Sequence, residues 1–311
     1  MNLHRRVLLA TALALPAIDA RAAPTKVLRM GFQKGEPTLM AARQNQDLER
    51  VLTPLGWDVQ WIEFQFGPPM LEAMRVGSID LGAVGDTPPV FAQAAHADLL
   101  YVSALRSGSQ AILLPPGSAI QTPADLKGKK LACGRGSSAH NFAIKALEKA
   151  GLRYDEVEMI HLGPADAGAA FQRGAIDAWA IWDPYFALFE QRPGVRTLLT
   201  NTEIGEQHSF FMGRKAFVQA NPALTATALE AFAVACAWMR GHREEVADGL
   251  SSSTGMPRDA MRRVIDRVPA DMLPMTDAII LGQQHVADRF RGLGLLPVDI
   301  TVADSVWHPN A

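Results

Sequence analysis

Cysteine is scarce. Cys133 and Cys236 are the only two in 311 residues, and nothing in the sequence brings them together, so buried free thiols are expected rather than a bridge. Charge of one sign is lacking too: 30 Lys and Arg face 32 Asp and Glu, for a net charge of −2. That balance leaves no basic field for nucleic acid and no polybasic strip for anionic lipid. Beyond the N-terminal segment there is no run of roughly 18 consecutive apolar residues from which to build a spanning helix. Chemical signatures are missing as well. There is no H-E-x-x-H zinc pattern, no G-x-S-x-G nucleophile elbow and no G-x-x-x-x-G-K-[ST] phosphate loop, and the eight histidines are scattered. These absences favour binding over turnover, with no metal and no cofactor expected.

The N-terminus is informative. A basic start (His4, Arg5, Arg6) precedes an apolar run from Val7 to Leu15 and a small-residue A-x-A site at Ala20-Arg21-Ala22, the pattern of a signal peptide on residues 1–22 cleaved after Ala22. Arg5-Arg6 leaves the twin-arginine route open beside the general secretory one. No cysteine follows the site to take a lipid, so a free periplasmic protein is expected. About 290 residues then remain, enough for two domains, with an ordinary globular composition of 48% hydrophobic and 20% charged residues.

Strand and helix signals alternate through the first two thirds of the chain. Leu28–Gly31 reads as a strand, Phe32-Gln33-Lys34-Gly35 as a loop, and Leu39–Leu52 as a helical stretch. A helix from Pro69 to Arg75 breaks at Gly77, and the strand Ile79–Val84 ends at Gly85-Asp86-Thr87-Pro88-Pro89. Ala111–Leu114 is a further strand, closed by Pro115-Pro116-Gly117, and the same grammar runs to about Leu199. Such alternation predicts an α/β fold with parallel, doubly wound sheets. From Asn221, an N-cap followed by Pro222, helices dominate: Glu244–Leu250, Pro257–Val268 and Thr276–Leu293. The end, Val298 to Val306, is left unassigned.

One segment repeats. Gly77-Ser78-Ile79-Asp80-Leu81-Gly82-Ala83-Val84-Gly85-Asp86 aligns with Gly174-Ala175-Ile176-Asp177-Ala178-Trp179-Ala180-Ile181-Trp182-Asp183 at a constant offset of 97 residues. Each copy follows a helix, turns at glycine and enters a strand whose far end carries an Asp close ahead of a proline. In open α/β sheets ligands bind outside the carboxyl ends of the strands. Two similar lobes would present two such ends to one cleft, although G-x-I-D is also a common helix-to-strand turn.

Three loops carry the candidate chemistry. Gly134-Arg135-Gly136-Ser137-Ser138-Ala139-His140-Asn141 opens a helix, and its unpaired N–H groups suit an oxyanion. Plain capping by Ser137 or Ser138 is the competing reading. The loop also matches G-x-G-x-x-A with Asp155 and Glu156 about 20 residues on, the dinucleotide fingerprint, which export argues against. Gly85-Asp86-Thr87 is a second strand end, where Asp86 either lines a ligand or caps the next helix and Thr87 offers a hydroxyl. At the third, Asp183 sits in an N-cap position, and Trp182 is expected to line a pocket because a buried indole needs a partner for its N–H. His140 and His161 read as capping or surface residues rather than general bases.

The segments Gly31–Gly35, Gly77–Leu81, Gly85–Ala95, Gly136–Asn141 and Asp177–Tyr185 resemble, in order, the aliphatic sulfonate-binding proteins of ABC transporters. The resemblance covers about Leu28 to Leu188 and is looser in the helical tail. It implies a two-lobe periplasmic-binding-protein type II fold, each lobe a mostly parallel sheet flanked by helices, with two chain crossovers. One lobe would comprise 24–108 plus 213–311 and the other 109–212. It further implies a monomer that captures an alkanesulfonate and delivers it to an ABC permease, with no nucleic-acid partner and no catalysis. The implied ligand set is Gln33, Gly85, Asp86, Thr87, Ser137, Ser138 and His140, with Trp182 and Asp183 on the opposite wall. Members of the wider superfamily bind taurine, nitrate, aromatic acids or thiamine precursors, and enzymes on the same fold are a further alternative. If every donor is uncharged, binding should vary little between pH 6 and 8.

Overall fold

The computed structural model describes residues 26–309. The expected signal segment and its cleavage site at Ala22 lie outside them. Among the described residues there are eleven strands: β1 (Lys26–Gln33), β2 (Trp57–Phe64), β3 (Leu81–Val84), β4 (Leu99–Arg106), β5 (Gln110–Leu114), β6 (Lys130–Cys133), β7 (Glu158–His161), β8 (Ala178–Trp182), β9 (Arg196–Thr200), β10 (His208–Arg214) and β11 (Met272–Leu273). They form two sheets, ordered β11-β4-β10-β3-β1-β2 and β7-β6-β8-β5-β9. The helices of the first half are α1 (Pro37–Gln44), α2 (Asp47–Leu52), α3 (Gly67–Arg75), α4 (Thr87–Ala94), α5 (Ser138–Lys149), α6 (Pro164–Gln172) and α7 (Tyr185–Glu190). The later ones are α8 (Lys215–Ala220), α9 (Pro222–Gly241), α10 (Arg243–Thr254), α11 (Arg258–Arg267) and α12 (Asp277–Gly292).

Proline starts many of these helices. α1, α3, α4, α6 and α9 each carry one in their first two positions, where its preset φ suits the helix and its missing N–H costs nothing. The central strands read as unbroken apolar runs, Leu81-Gly82-Ala83-Val84 and Ala178-Trp179-Ala180-Ile181, because helices cover both faces of each sheet. Buried apolar residues accordingly cluster on both faces of each sheet, and a further cluster joins Val90, Val286 and Phe290 of the first lobe to Ile144 of the second.

The sheets are mixed rather than mostly parallel in their pairing. In the first, β1 pairs in parallel with β2 and β3, while β10 is antiparallel to both β3 and β4 and β11 is antiparallel to β4. In the second, β6 is parallel to β7 and β8, and β5 is antiparallel to β8 and β9. The reason is the crossovers. The chain leaves β4 for β5, and β9 for β10, at the junction of the two sheets. A strand that starts at the junction must run away from it, against strands that end there. The expected lobe boundary at 213 also moves back to Gln207, because His208–Arg214 pairs within the first sheet.

The internal repeat is a repeat of structure. Strand order β10-β3-β1-β2 corresponds to β5-β8-β6-β7. Asp80 donates its backbone N–H to Arg29 O at 2.8 Å and Asp177 its own to Lys130 O at 2.9 Å. Each Asp carboxylate accepts the N–H of that same partner residue, at 3.0 and 2.8 Å respectively. The Asp of G-x-I-D thus pins two strands together at the end remote from the junction. Asp80, 1% exposed, additionally receives the Arg29 and Arg214 guanidinium groups at 2.8 and 2.9 Å.

α9 is long and apolar enough by composition to cross a membrane, with a mean hydropathy of 1.3. Its buried residues, among them Ala228, Phe232, Ala235 and Cys236, instead pack in the core with α1 and α2. A prediction follows from the unequal Asp anchors. Asp80→Ala strands two arginines beside a buried space and should cost about 3–5 kcal/mol in denaturant unfolding, whereas Asp177→Ala loses one backbone hydrogen bond, about 1 kcal/mol. Equal losses would show that the arginines add nothing.

Candidate functional site

A cavity of about 50 Å³ lies between the two lobes at the ends of their strands. The first lobe contributes Gln33, Gly35, Glu36 and Pro37 at the β1–α1 turn, Gly67 at the head of α3, and Val84, Gly85 and Pro88 between β3 and α4. From the second come Ser137 and Ser138 at the head of α5, and Trp182 and Asp183 after β8. Ser107, Gly108, Ser109, Gln110 and Ser209, from the crossovers, form the back wall, and Val264 and Val268 cover the top.

Four helices, α1, α3, α4 and α5, start at this cavity, and each start carries a partial positive charge. The prolines at the first three remove N–H donors there. α5 begins without one, and the Ser138 and Ala139 N–H groups have no backbone acceptor. Ser137 does not cap the helix: its hydroxyl donates to Gly134 O at 2.7 Å and shapes the preceding loop. This is the best-prepared oxyanion position among the described residues.

The expected ligand set is divided by the structure. Gln33, Gly85, Ser137, Ser138, Trp182 and Asp183 line the cavity; Gln33 donates one amide proton to Ala83 O at 2.8 Å. Asp86, Thr87 and His140 do not line it. Asp86 turns behind the strand end, where its carboxylate accepts Thr87 Oγ1 at 2.8 Å and, from the other lobe, Asn141 Nδ2 at 2.6 Å. It makes no capping bond to α4 either, so neither role expected of it is the one it plays. Thr87 is wholly buried, its hydroxyl engaged with Asp86. His140 accepts the Gly136 N–H on Nδ1 at 3.3 Å and meets Tyr154 Oη through Nε2 at 3.0 Å, packed beside Phe290 of the first lobe. Asp183 accepts the Ala187 N–H at 3.0 Å, but from one residue ahead of the expected N-cap position, which Pro184 occupies.

Sequence reasoning missed the back wall, the covering valines and Glu36. The back wall had a faint signal, the small polar run Ser107-Gly108-Ser109 between two strands. Val264 and Val268 had none, since α11 lies far along the chain and reaches the cleft only through tertiary packing.

Glycine lets the lobes meet. A Cβ on Gly35 would lie 2.7 Å from Trp182 Nε1, and one on Gly85 would lie 2.6 Å from Ser138 Cβ. Both contacts cross the cleft, so the lobes stand closed against each other. Side-chain bridges flank the contact: Arg267 reaches Asp183 at 3.4 Å and also pairs with Glu190, while Arg289 reaches Glu148 at 3.0 Å and Asn141 at 3.3 Å.

Among the described residues no Lys or Arg lines the cavity, but two carboxyl groups do. Burial pushes Asp183 up to about 7 against the pull of Arg267 and the Ala187 N–H, and pushes Glu36 up to about 7 against Thr38. Asp183 Oδ2 is buried without a hydrogen-bond partner. Behind the site, burial raises Asp86 to about 6 and depresses His140 to about 3.

Comparison with known proteins gives a consistent picture. The sequence profile of the NMT1-like family matches residues 21–251. The alkanesulfonate-binding protein SsuA of Xanthomonas axonopodis pv. citri, solved bound to MOPS, is 37% identical with a TM-score of 0.87, covering 92% of this chain and 99% of that one. The periplasmic aliphatic sulphonate binding protein SsuA of Escherichia coli is 38% identical with a TM-score of 0.83, covering 92% and 93%. At 15% identity and a TM-score of 0.64, the desulfurization enzyme DSZB shares the fold alone.

The glycine contacts generate a paired prediction. Gly85→Ala should leave each lobe folded but hold the lobes apart, weakening ligand affinity at least tenfold by calorimetry. Adding Ser138→Gly, which removes the atom the new methyl meets, should restore much of it. No rescue would mean that Gly85 acts through something other than this contact.

Proposed function

The chain belongs to the NMT1-like family, and from that premise we propose that it is the periplasmic solute-binding component of an ABC importer, capturing small aliphatic sulfonates between its lobes and delivering them to the permease. The observation that carries this reading is the cation-free cavity toward which the free N–H groups of α5 point. A sulfonate is a permanent monoanion with three acceptor oxygens and no proton to give, so neutral N–H and O–H donors can replace its water. The similarity to sulfonate-binding proteins supports the ligand class.

Mechanism follows from the division of donors. Ser137, Ser138 and Trp182 belong to one lobe and Gln33 and Gly85 to the other, so a ligand touching both binds the closed form in preference to an open one. Its differential affinity then drives closure, and the closed pair of lobes is the shape a permease reads. In this reading the protein acts as a monomer and does not transform its ligand; among the described residues Asp183 and Glu36 are the ionisable groups that line the cavity, and Asp183 is engaged by Arg267 and the start of α7.

Calorimetric titration of the ligand-stripped protein tests the substrate. With ethanesulfonate, longer alkanesulfonates, taurine, nitrate, sulfate and a thiamine-precursor pyrimidine as the panel, micromolar or tighter binding is expected for an alkanesulfonate, about −8 kcal/mol or better. Binding of nitrate or the pyrimidine alone would overturn the ligand class, and consumption of ligand during incubation would overturn the assignment as a binding protein.

The carboxyl groups reverse the flat pH profile expected from neutral donors alone. Both have folded-state values raised to about 7, so they are largely protonated at pH 6 and largely ionised at pH 8. An anion placed beside them is repelled once they ionise. Alkanesulfonate affinity should therefore fall from pH 6 to pH 8, by up to about tenfold for a change equivalent to one pKa unit; Asp183→Asn should reduce the fall, and Asp183→Asn with Glu36→Gln should flatten the profile. A wild-type profile already flat would show that the carboxyls do not face the ligand.

A further inference from the structure

Behind the anion loop, on the second lobe, lies a group of donors that the binding function does not use. Cys133 ends β6 and His161 ends β7, and the two are register partners on adjacent parallel strands. Their side chains emerge side by side, with Cys133 Sγ 3.9 Å from His161 Nδ1. His140, on the first turn of α5, folds back over them, its ring centroid 5.0 Å from that of His161. One donor atom from each of the three residues lies within 4.8 Å of the other two.

We propose that Cys133, His140 and His161 form a binding site for a thiophilic d¹⁰ cation of the zinc or cuprous class. The donor set is one sulfur and two imidazoles with no carboxylate, which suits those ions and disfavours magnesium or calcium. In tetrahedral zinc, bonds of about 2.3 Å to sulfur and 2.0–2.1 Å to nitrogen set the two ligand atoms about 3.5 Å apart. The Cys133–His161 pair is within a few tenths of an ångström of that spacing, and His140 closes the rest by rotating its ring. Access is open on one side only. Cys133 and His140 are buried and His161 is exposed, so an ion reaches the site past His161. Binding forms a bond to Cys133 sulfur and releases the thiol proton to water.

The site is tied to the anion loop. Both nitrogens of His140 are already engaged, Nδ1 with the Gly136 N–H and Nε2 with Tyr154 Oη. Taking up a metal means giving up one of these bonds. If Nδ1 is the ligand, Nε2 keeps Tyr154 as the orienting partner that metal-bound histidines commonly have, and Gly136, next to Ser137, is released.

Metal binding is measured directly, independently of any sulfonate. The purified, chelator-treated protein is titrated with Co²⁺ while thiolate-to-cobalt absorption is followed in the near ultraviolet, and with Zn²⁺ against a chromophoric chelator. The expected result is one equivalent of Co²⁺ with a thiolate band that Zn²⁺ displaces. The band should be absent in Cys133→Ser and retained in Cys236→Ser. Zinc affinity should drop 10-fold or more in His161→Ala, an exposed position whose replacement leaves the fold intact. Absence of a thiolate band in the wild-type protein, loss of the band in Cys236→Ser but not Cys133→Ser, or unchanged zinc affinity in His161→Ala would overturn the proposal.

Discussion

The close approach of backbone to side chain across the cleft governs the rest of the molecule. Gly35 and Gly85 lie at the ends of first-lobe strands, and at each the space for a Cβ is already taken by Trp182 or Ser138 of the second lobe. An enclosed anion site built from uncharged donors needs that proximity. N–H and O–H groups hold an anion well only where water is excluded, and exclusion here depends on two surfaces touching. Had the lips carried side chains, the lobes would stop short and the same donors would face solvent.

The doubled architecture supplies the two surfaces. Each lobe pins its central strands with an Asp at the remote end, so that the opposite strand ends, with their turns and helix starts, point at the other lobe. The crossover strands β5 and β10 begin at the junction and run outward, which places their first residues in the back wall of the cavity. Hinge and binding surface are therefore the same residues: Ser107 and Ser209 share a hydroxyl contact at 3.1 Å, and both line the site. Asp86, after β3, and Asn141, on the first turn of α5, make a buried bridge between the lobes, close behind the Gly85 and Ser138 that line the cavity.

Much of this was legible in the sequence where the signal was local. The 97-residue repeat located both strand ends, and the Gly-Ser-Ser run ahead of α5 located the free N–H donors. Glycine before a strand and proline at a helix start are local constraints, so they survive without knowledge of the fold. Side-chain direction is different. Asp86 and Thr87 sit on the correct turn but face away from the cavity, and His140 packs against Phe290, from nearly the other end of the chain. The reversed strands escaped notice because a crossover strand looks locally like any other buried strand, and only its point of departure sets its direction. The covering valines lie in and just after α11, a helix whose sequence is indistinguishable from an ordinary amphipathic one.

Two of the cavities between the lobes offer alternative homes for an anion, and they differ in kind. The one at the strand ends has helix starts and no cation. A second, of about 220 Å³, includes Lys145, Arg289 and His285 together with Asp86 and Glu206. A structure of the protein crystallised with an alkanesulfonate distinguishes them in one measurement. The account predicts sulfonate oxygens within about 3 Å of the Ser138 and Ala139 N–H groups, with the lobes closed over them at Gly35 and Gly85. A sulfonate seated instead beside Lys145 and Arg289 would contradict it.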